Sequence, residues 1–264
     1  MSVIWPIPSA IPRAVLVTGG AARLGRAIAL TFAECGFAVA IHCRHGHDDA
    51  QQTMETIEAI GVKGVLLEAD LAREHEVAAL VERAEAAIGP LGVLVNNAST
   101  FERDEWHDAD RTSWDRHIEP NLRAPFKLMQ DFAHRLPPDA EGMVLNMLDQ
   151  RVWSPTPHFV SYSLSKAGLW ALTQSMALAL APQRIRVNAI GPGPALPSPR
   201  QSEAQFRTQC ESVPLGHGTS PGEVARAALS LLCLPSVTGQ MLALDGGQHM
   251  QWHPAPGAGG ALQE

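Results

Sequence analysis

Short apolar runs alternate with segments of helical periodicity along almost the whole chain, and this alternation constrains the fold more than any other feature. Apolar runs predict strands at 14–17, 38–42, 64–68, 92–96, 143–148, 185–190 and 240–244. Apolar residues at helical spacing predict helices at 24–36, 48–60, 74–88, 111–135, 158–181, 201–211 and 221–233. Such an alternation predicts an α/β fold with a doubly wound parallel sheet of about seven strands and helices on both faces.

The organisation of the chain favours one domain. Neither a linker nor an internal repeat interrupts it between about 13 and 250, so we interpret 1–264 as a single Rossmann-type domain with its core in that range. The segment 254–264 has the composition of a linker and is predicted to be a flexible tail. Pro120 and Pro125 predict kinks or breaks in the 111–135 helix.

Composition limits the classes of partner. The formal net charge of −7 argues against nucleic acids and anionic membranes, because both usually require a basic face. The N-terminus lacks a basic segment and no run of about 18 apolar residues occurs, so neither a signal peptide nor a transmembrane helix is predicted. No cysteines are spaced as CxxC, and no metal site is predicted. A cytoplasmic protein with a small-molecule substrate is expected.

A glycine-rich turn lies between the first predicted strand and the first predicted helix. It reads TGGAARLG from Thr18 to Gly25 and includes Gly19, Arg23 and Leu24. Glycines at this place let the backbone approach a pyrophosphate, which the N-terminus of the following helix attracts. The turn therefore predicts a dinucleotide site, and a tight turn without a ligand is the alternative.

The segment after the second strand selects the cofactor. Arg44 and His45 stand where a carboxylate would hydrogen-bond the ribose 2′-hydroxyl of NAD. Arg44, helped by His45 and by Arg23, suits a 2′-phosphate, so NADP(H) is predicted. The alternatives are a solvated basic loop and a metal site at His42, His45 and His47.

Asp70 and Leu71 follow the third predicted strand. A carboxylate at that edge of the sheet can accept a hydrogen bond from the adenine amino group of a dinucleotide. Asp70 can also cap the helix that follows, and the two roles are compatible.

Tyr162 and Lys166 lie four residues apart near the start of the long predicted helix, so their side chains share one helix face. A tyrosine hydroxyl has a pKa near 10 and is a poor proton donor or acceptor at neutral pH. A neighbouring ammonium stabilises the phenolate and lowers that pKa. The pair therefore predicts acid–base chemistry, and a half-buried surface pair is the alternative.

Further motifs accompany this pair in a fixed order along the chain. They are NNAS at 96–99, Asn121 and GPG at 191–193. Together with TGGAARLG and YSLSK, they resemble the short-chain dehydrogenase/reductase family over about 13–247.

The resemblance implies a role for each matching residue. Tyr162 would be the proton donor, and Lys166 would bind the nicotinamide ribose and lower the tyrosine pKa. Asn121 would hold a water in a proton relay. The cofactor would also contact the residues Gly19, Leu24, Gly25, Asn97, Ala98, Ser99, Pro192 and Gly193. The resemblance further implies a homotetramer.

Three positions depart from the general family pattern. Asp149 stands 13 residues before the tyrosine, where the family usually has a serine that donates a hydrogen bond to a carbonyl. Arg23 replaces a glycine of the turn, and Ser99-Thr100-Phe101 follows the NNA motif. These departures occur together in the pteridine reductases, which the sequence resembles at TGGAARLG, NNASTF and NMLD.

The subgroup implies reduction of a pterin C=N bond by Asp149, Tyr162 and Lys166. Arg23 and Ser99 would contact the cofactor phosphates and the pterin, and Phe101 would stack on the pterin ring. One alternative is a ketone or 3-oxoacyl reductase of the same family, and another is a catalytically silent NADP(H)-binding sensor.

The loop at 191–199 is rich in proline, which stiffens it, and a lid at 191–212 stays open as one interpretation. Trp153 and His158 lie between Asp149 and Tyr162, where lining the pocket and packing are equally expected.

Overall fold

One parallel sheet forms the framework of the computed structural model, which describes residues 6–45, 48–198 and 200–251. Its strands are β1 (Ala14–Thr18), β2 (Ala38–Cys43), β3 (Gly64–Glu68), β4 (Val93–Asn96), β5 (Gly142–Met147), β6 (Ile185–Pro192) and β7 (Met241–Leu244). Their order in the sheet is β3-β2-β1-β4-β5-β6-β7, and every pairing is parallel. The predicted seven-stranded parallel sheet is therefore confirmed.

Successive side chains on these strands belong alternately to two apolar cores, one on each face of the sheet. Val15 and Val17 of β1 belong to one core, while Leu16 between them belongs to the other. The strands β4 and β5 alternate in the same way, because successive residues of a strand point to opposite faces of a sheet. A sheet buried on both faces requires continuous apolar strands, and this explains the unbroken apolar runs in the sequence.

Helices cover both faces of the sheet. The first layer contains α1 (Arg23–Glu34) and α2 (Asp48–Ile60), which pack against each other, and it also contains α9 (Pro221–Leu232). The second layer contains α3 (Glu74–Ala78), α4 (Leu80–Ile88), α6 (Ala124–Arg135) and α7 (Val160–Leu180). The remaining helices are α5 (Arg111–Ile118), which packs on α7, and α8 (Glu203–Glu211).

Two predicted helices are interrupted. The 74–88 helix is divided at Ala79, which ends α3 and precedes α4. The 111–135 helix contains a π-helical turn at Glu119–Arg123, where Pro120 cannot donate an N–H to the helical ladder. Pro125 lies in the first turn of α6 and adds no further break, because a proline is tolerated there.

The long helix α7 begins two residues later than predicted. Phe159 precedes it with φ 58° and ψ 51°, the left-handed conformation, which cannot continue a right-handed helix. The helix ends at Leu180, and a 3₁₀ turn at Ala181–Gln183 carries Pro182. Its placement fixes Tyr162 and Lys166, as described below.

Two predictions lie outside the described residues: the flexible tail at 254–264 and the position of His47. In the part of the chain that the structure describes, no helix combines the length and the apolar character needed to cross a bilayer.

Candidate active site

The glycine-rich turn brings β1, α1 and the end of β4 into close contact. Gly19 has φ +61°, and a Cβ added at Gly25 would lie 2.1 Å from the carbonyl oxygen of Gly19. The Asn97 side chain donates hydrogen bonds to the carbonyls of Thr18 and Gly19, at 2.8 and 3.1 Å. A larger residue would be strained at position 19, because of the positive φ, and would clash at position 25. Glycine at both positions leaves the backbone of this turn without side chains over it.

Arg23 occupies the position of the missing third glycine. Its φ of 53° lies in the left-handed region that favours glycine, so an arginine here carries a strain of about 1–2 kcal/mol. The side chain extends away from the turn and donates a hydrogen bond to the Pro197 carbonyl at 3.1 Å. Arg23 thus connects the nucleotide turn to the segment that follows β6.

His42 is buried where the ends of β1, β2 and β3 meet. Its Nδ1 accepts a hydrogen bond from the Gly19 N–H at 3.2 Å, and its Nε2 therefore donates to the Ala69 carbonyl at 2.9 Å. Burial lowers the pKa of His42 from 6.5, so the ring is neutral at pH 7. Both ring nitrogens are committed to this bridge, and the described residues contain no group of three His, Cys, Asp or Glu side chains that could hold a metal.

The predicted residues for the adenosine half of the cofactor lie along the same edge of the sheet. Arg44 is exposed on a bend after β2, and His45 lies 3.7 Å from the Glu68 carboxylate. Asp70 accepts a hydrogen bond from the Ala72 N–H at 3.0 Å, and Leu71 is buried. The residue that precedes α3 is Arg73, so Asp70 forms a local turn, and the prediction that it also caps the helix is wrong.

The Tyr162 hydroxyl donates a hydrogen bond to Oδ2 of Asp149 at 3.0 Å. Oδ1 of the same carboxylate accepts the Arg151 backbone N–H at 2.8 Å, and the Arg151 guanidinium lies 3.5 Å from Oδ2. Asp149 is therefore held as an acceptor, in direct contact with the tyrosine. The structure thus brings these two predicted site residues into direct contact.

Lys166 lies beneath the tyrosine ring and is almost fully buried. Its Nζ donates a hydrogen bond to the Met147 carbonyl at 2.8 Å and lies 5.7 Å from the centroid of the Tyr162 ring. Burial lowers the pKa of Lys166 to about 8, and the negative charge of Asp149 opposes this decrease. The ammonium is thus the positive charge facing the tyrosine and aspartate.

The Asn121 side chain secures the loop after β4 to α7. It donates hydrogen bonds to the Thr100 carbonyl and to the Ser165 hydroxyl, and its oxygen accepts the Thr100 N–H. The π-helical turn at Glu119–Arg123 places Asn121 at this position. A water relay through Asn121 would therefore use its backbone, because its side chain is already bonded.

Phe101 lies against the tyrosine at the other side of the site. Its ring stacks on Phe159 with centroids 4.6 Å apart and planes at 10°, and it meets the Tyr162 ring edge-on at 4.7 Å. The Arg151 guanidinium lies 5.4 Å from the Phe101 centroid and 5.3 Å from that of Phe159. Arg151 thus contacts both the aspartate and the aromatic pair.

Sequence reasoning missed the residues that hold α7 and the loop after β4. Asp104 is buried, and its backbone and carboxylate oxygens accept the N–H groups of Phe159 and Ser161 at 2.9 and 3.1 Å. The buried His117 accepts the Glu102 N–H at 3.0 Å, which fixes the chain beside Phe101. No motif marks either residue, because their partners are distant in sequence and become neighbours only in the fold.

A cavity of about 230 Å³ opens between these groups. The predicted site residues that line it are Arg23, Leu24, Phe101, Asp149, Tyr162, Pro192 and Gly193. Side chains that no motif indicated also line it, namely Gln150, Arg151, Gln209 and Gln248. The cavity therefore unites the nucleotide turn, the Tyr162–Asp149 pair and the segment after β6.

Three further predicted residues lie elsewhere. Ser99 is exposed, and its hydroxyl bonds the neighbouring Thr100 carbonyl. Trp153 packs edge-on against Trp170, and His158 pairs with the Glu105 carboxylate at 2.9 Å. Packing and ion pairing thus account for Trp153 and His158.

The parallel sheet, the glycine turn and the buried Tyr162/Lys166 pair define a class of nucleotide-dependent oxidoreductases. The chain belongs to the short-chain dehydrogenase/reductase family. A family model described as enoyl-(acyl carrier protein) reductase matches residues 19–249. The 3beta-hydroxysteroid dehydrogenase 1 of Eggerthella lenta is 34% identical over 246 residues, which cover 89% of this chain and 93% of that protein.

Two solved structures share more than 40% of their sequence with this chain. FolM alternative dihydrofolate reductase 1 from Brucella canis, complexed with NADP, is 43% identical with a TM-score of 0.90, covering 95% of this chain and 100% of that one. Its counterpart from Brucella suis, also in complex with NADP, is 45% identical with a TM-score of 0.89, covering 94% and 98%.

Among relatives found by sequence, a 3-oxoacyl-[acyl-carrier-protein] reductase of Staphylococcus epidermidis is 28% identical over 242 residues. These residues cover 90% of this chain and 99% of that protein.

Replacing Lys166 with methionine should abolish turnover and yet stabilise the fold by about 1–3 kcal/mol at pH 7. The decrease of the Lys166 pKa from 10.5 to about 8 corresponds to roughly 3 kcal/mol against the charged form, and the lost hydrogen bond to Met147 offsets part of it. Between pH 8 and 10.5 the unfolded chain keeps a proton that the folded chain has released, so wild-type stability rises with pH in this interval. The advantage of the variant is therefore largest below pH 8.

Denaturant unfolding of both proteins, from about pH 7 to about pH 10, measures this difference. Lys63→Met removes an exposed lysine and should leave the pH dependence unchanged. A Lys166 variant that is less stable than the wild type at pH 7 would show that the buried ammonium is net stabilising.

Proposed function

We propose that the protein is an NADPH-dependent reductase of a C=N bond in a pterin-like substrate, with a dihydropterin as the leading candidate. The observation that carries this proposal is the hydrogen bond from the Tyr162 hydroxyl to Asp149. The two side chains can deliver a proton to a ring nitrogen, with the carboxylate oriented by Arg151.

Asp149 argues against simple ketone reduction. A serine at this position would donate a hydrogen bond to a substrate carbonyl, whereas an ionised carboxylate only accepts. A nitrogen heterocycle offers N–H groups that a carboxylate can bind. The relatives named as hydroxysteroid dehydrogenase and 3-oxoacyl reductase keep ketones among the substrates to be tested.

Phe101 supports a flat aromatic substrate. One face of its ring stacks on Phe159, so a substrate ring would use the opposite face, and Phe101 lines the cavity. Offset stacking contributes about 1 kcal/mol beyond the burial of apolar area. Tyr162 lines the same cavity as Phe101, so a ring stacked on Phe101 would share the cavity with the tyrosine.

The chain has the features that an NADP(H) site requires. The uncovered backbone at Gly19 and Gly25 fits a pyrophosphate at the N-terminus of α1, and the exposed Arg44 fits a 2′-phosphate. We further propose that Asp70, Leu71, Asn97 and Ala98 contact the adenosine half of the cofactor and that Pro192 and Gly193 contact the nicotinamide. Arg23 and Ser99 contact the cofactor phosphates and the pterin. The neighbours from Brucella were solved with NADP, which supports this choice.

Each catalytic side chain has one task in this proposal. When bound, NADPH would supply the hydride, and the protein would supply position and electrostatics. Tyr162 donates a proton to the ring nitrogen, Asp149 supports the hydroxyl, and Lys166 stabilises the developing phenolate. Asn121 keeps the loop before Phe101 on α7.

We also propose a homotetramer. An exposed stripe on α7 contains Leu164, Ala167, Ala171 and Leu178, and Leu178 is 80% exposed. A helix that is apolar on both its buried and its exposed sides favours packing against another chain.

A substrate panel tests the proposed reaction. With NADPH, we expect consumption with dihydropterins and little consumption with steroid ketones or 3-oxoacyl thioesters. Asp149→Ser should lower kcat on a dihydropterin at least about tenfold. This corresponds to an activation free energy that is higher by roughly 1.4 kcal/mol or more, because the carboxylate no longer assists the proton transfer. Tyr162→Phe should bind NADPH as before and lose turnover. Absence of turnover with every pterin would refute the proposal.

Arg44→Asp should shift the cofactor preference from NADPH towards NADH. The variant replaces a cation beside the 2′-phosphate with an anion that can bind a free 2′-hydroxyl. The ratio of kcat/KM for the two cofactors measures the shift, and Arg111→Asp, on an exposed part of α5, is the matched control. An unchanged ratio would place the 2′-phosphate site elsewhere.

A further inference from the structure

His42 bonds to two neighbouring segments at the edge of the sheet where β1, β2 and β3 end. Its ring Nδ1 accepts the Gly19 N–H at 3.2 Å, and its Nε2 donates to the Ala69 carbonyl at 2.9 Å. Its own backbone carbonyl accepts the Gly20 N–H at 3.0 Å. One residue thus holds both glycines of the nucleotide turn and the first residue after β3.

The bridge requires the neutral ring in one tautomer. Because the Gly19 N–H needs an acceptor, Nδ1 carries the lone pair and Nε2 carries the proton. The residue is only 2% exposed, and this burial lowers its pKa from 6.5, so the neutral form is kept at pH 7. An apolar ring of similar size would leave the Gly19 donor and the Ala69 acceptor without partners.

The N–H and the carbonyl of Gly19 are held by different segments. His42 accepts the N–H, while the Asn97 side chain donates to the carbonyl at 3.1 Å. Because the Gly19 N–H is used in this way, a phosphate must be bound by other N–H groups. Those at the start of α1 are suited to it, since Ala22 provides no side-chain cap there. The position of the turn therefore depends on a side chain that leaves the phosphate-binding groups free.

The segments that His42 joins are those that the proposed cofactor site uses for the adenosine half. The glycine turn would hold the pyrophosphate, and Asp70, next to Ala69, would contact the adenosine. Arg44, which would bind the 2′-phosphate, lies two residues beyond His42. A ligand that touches all three segments at once binds most tightly when their spacing is fixed before it arrives.

We propose that His42 is a positioning residue for the cofactor, whose ring sets the distance between the glycine turn and the segment 69–71 so that both contact the adenosine half of NADP(H) without rearrangement. This inference rests on the NADP(H) site proposed above. His42 acts through Gly19 and Ala69 and needs no contact of its own with the cofactor.

The test is a titration of the protein with NADPH at pH 7, followed by the fluorescence of the cofactor, which needs no substrate. His42→Phe keeps a buried ring of similar size and removes both ring contacts. We expect it to raise the Kd for NADPH about tenfold, which is roughly 1.4 kcal/mol. The turn and the segment 69–71 would then have to be brought into position by the cofactor itself.

Two conservative variants separate the contacts of the ring. The amide oxygen of His42→Asn lies as many bonds from Cβ as Nδ1 does, so it can accept the Gly19 N–H but cannot reach Ala69. The amide nitrogen of His42→Gln lies as many bonds from Cβ as Nε2 does, so it can donate to the Ala69 carbonyl. Each variant restores one contact, and each should bind NADPH about threefold more weakly than the wild type.

Asn188→Leu is the control for a loss of stability alone. Asn188 is fully buried and also joins two segments, because its side chain donates to the Val237 carbonyl at 2.8 Å and accepts the Gln240 N–H at 3.1 Å. Its replacement should lower the free energy of unfolding in denaturant about as much as His42→Phe does. The Kd for NADPH should nevertheless remain that of the wild type.

The outcomes distinguish this inference from the proposed function. Wild-type affinity in His42→Phe, or an equal loss of affinity in Asn188→Leu, would overturn the positioning role. If His42→Phe does not fold, the two amide variants decide, and wild-type affinity in both would overturn it as well. A wild type that does not bind NADPH would remove the proposed cofactor site and this inference together. Failure to reduce any pterin would refute the proposed substrate and leave the role of His42 standing on the titration.

Discussion

The hydrogen bond between the Tyr162 hydroxyl and Asp149 lies beside a buried positive charge, that of Lys166. Lys166 has no counter-ion in direct contact among its described bonds, since its Nζ donates to the neutral Met147 carbonyl. Its charge therefore acts on the tyrosine ring above it and on Asp149, whose negative charge in turn favours the charged lysine. Tyrosine, aspartate and lysine therefore form one electrostatic unit.

The rest of the fold supports this unit at both ends. The strand β5 ends at Met147, whose carbonyl accepts the Lys166 hydrogen bond, and Asp149 follows two residues later. The sheet therefore fixes the acceptors for both Lys166 and Tyr162. The start of α7 supplies Tyr162, and the left-handed Phe159 together with the buried Asp104 determines where that helix begins. The strain of a bulky residue at φ 58° is offset by the stacking of Phe159 on Phe101. The same aromatic contact thus stabilises the helix start and orients the ring that faces the substrate.

The strands and most helices could be predicted because their signals are local. Apolar runs, the proline at 120 and the glycine turn each act within a few residues, and the structure agrees with them. The proximity of Tyr162 and Lys166 could be predicted from their spacing on one helix, and that of Asp149 from the resemblance to the pteridine reductases. The split at Ala79 carries no such mark, since neither proline nor glycine occurs there.

The contacts that shape the substrate cavity could not be predicted, because they join segments far apart in the chain. Arg200 meets Phe101 and Glu102 almost a hundred positions away, and Asp104 meets Ser161 across α5, α6 and β5. Arg151 lies only two residues from Asp149, yet its contact with the aromatic pair depends on the turn that follows β5. Sequence spacing indicates which groups perform the chemistry, whereas tertiary packing determines how large a ligand they can hold.

A crystal structure with NADP⁺ and dihydrobiopterin would test the central claim most directly. We expect the pterin ring to lie on the side of Phe101 opposite Phe159, with a ring nitrogen about 2.6–3.2 Å from the Tyr162 hydroxyl oxygen. Asp149 should remain hydrogen-bonded to that hydroxyl. A pterin bound away from Phe101, or one that presents only its carbonyl oxygen to Tyr162, would contradict the assignment of this site to C=N reduction.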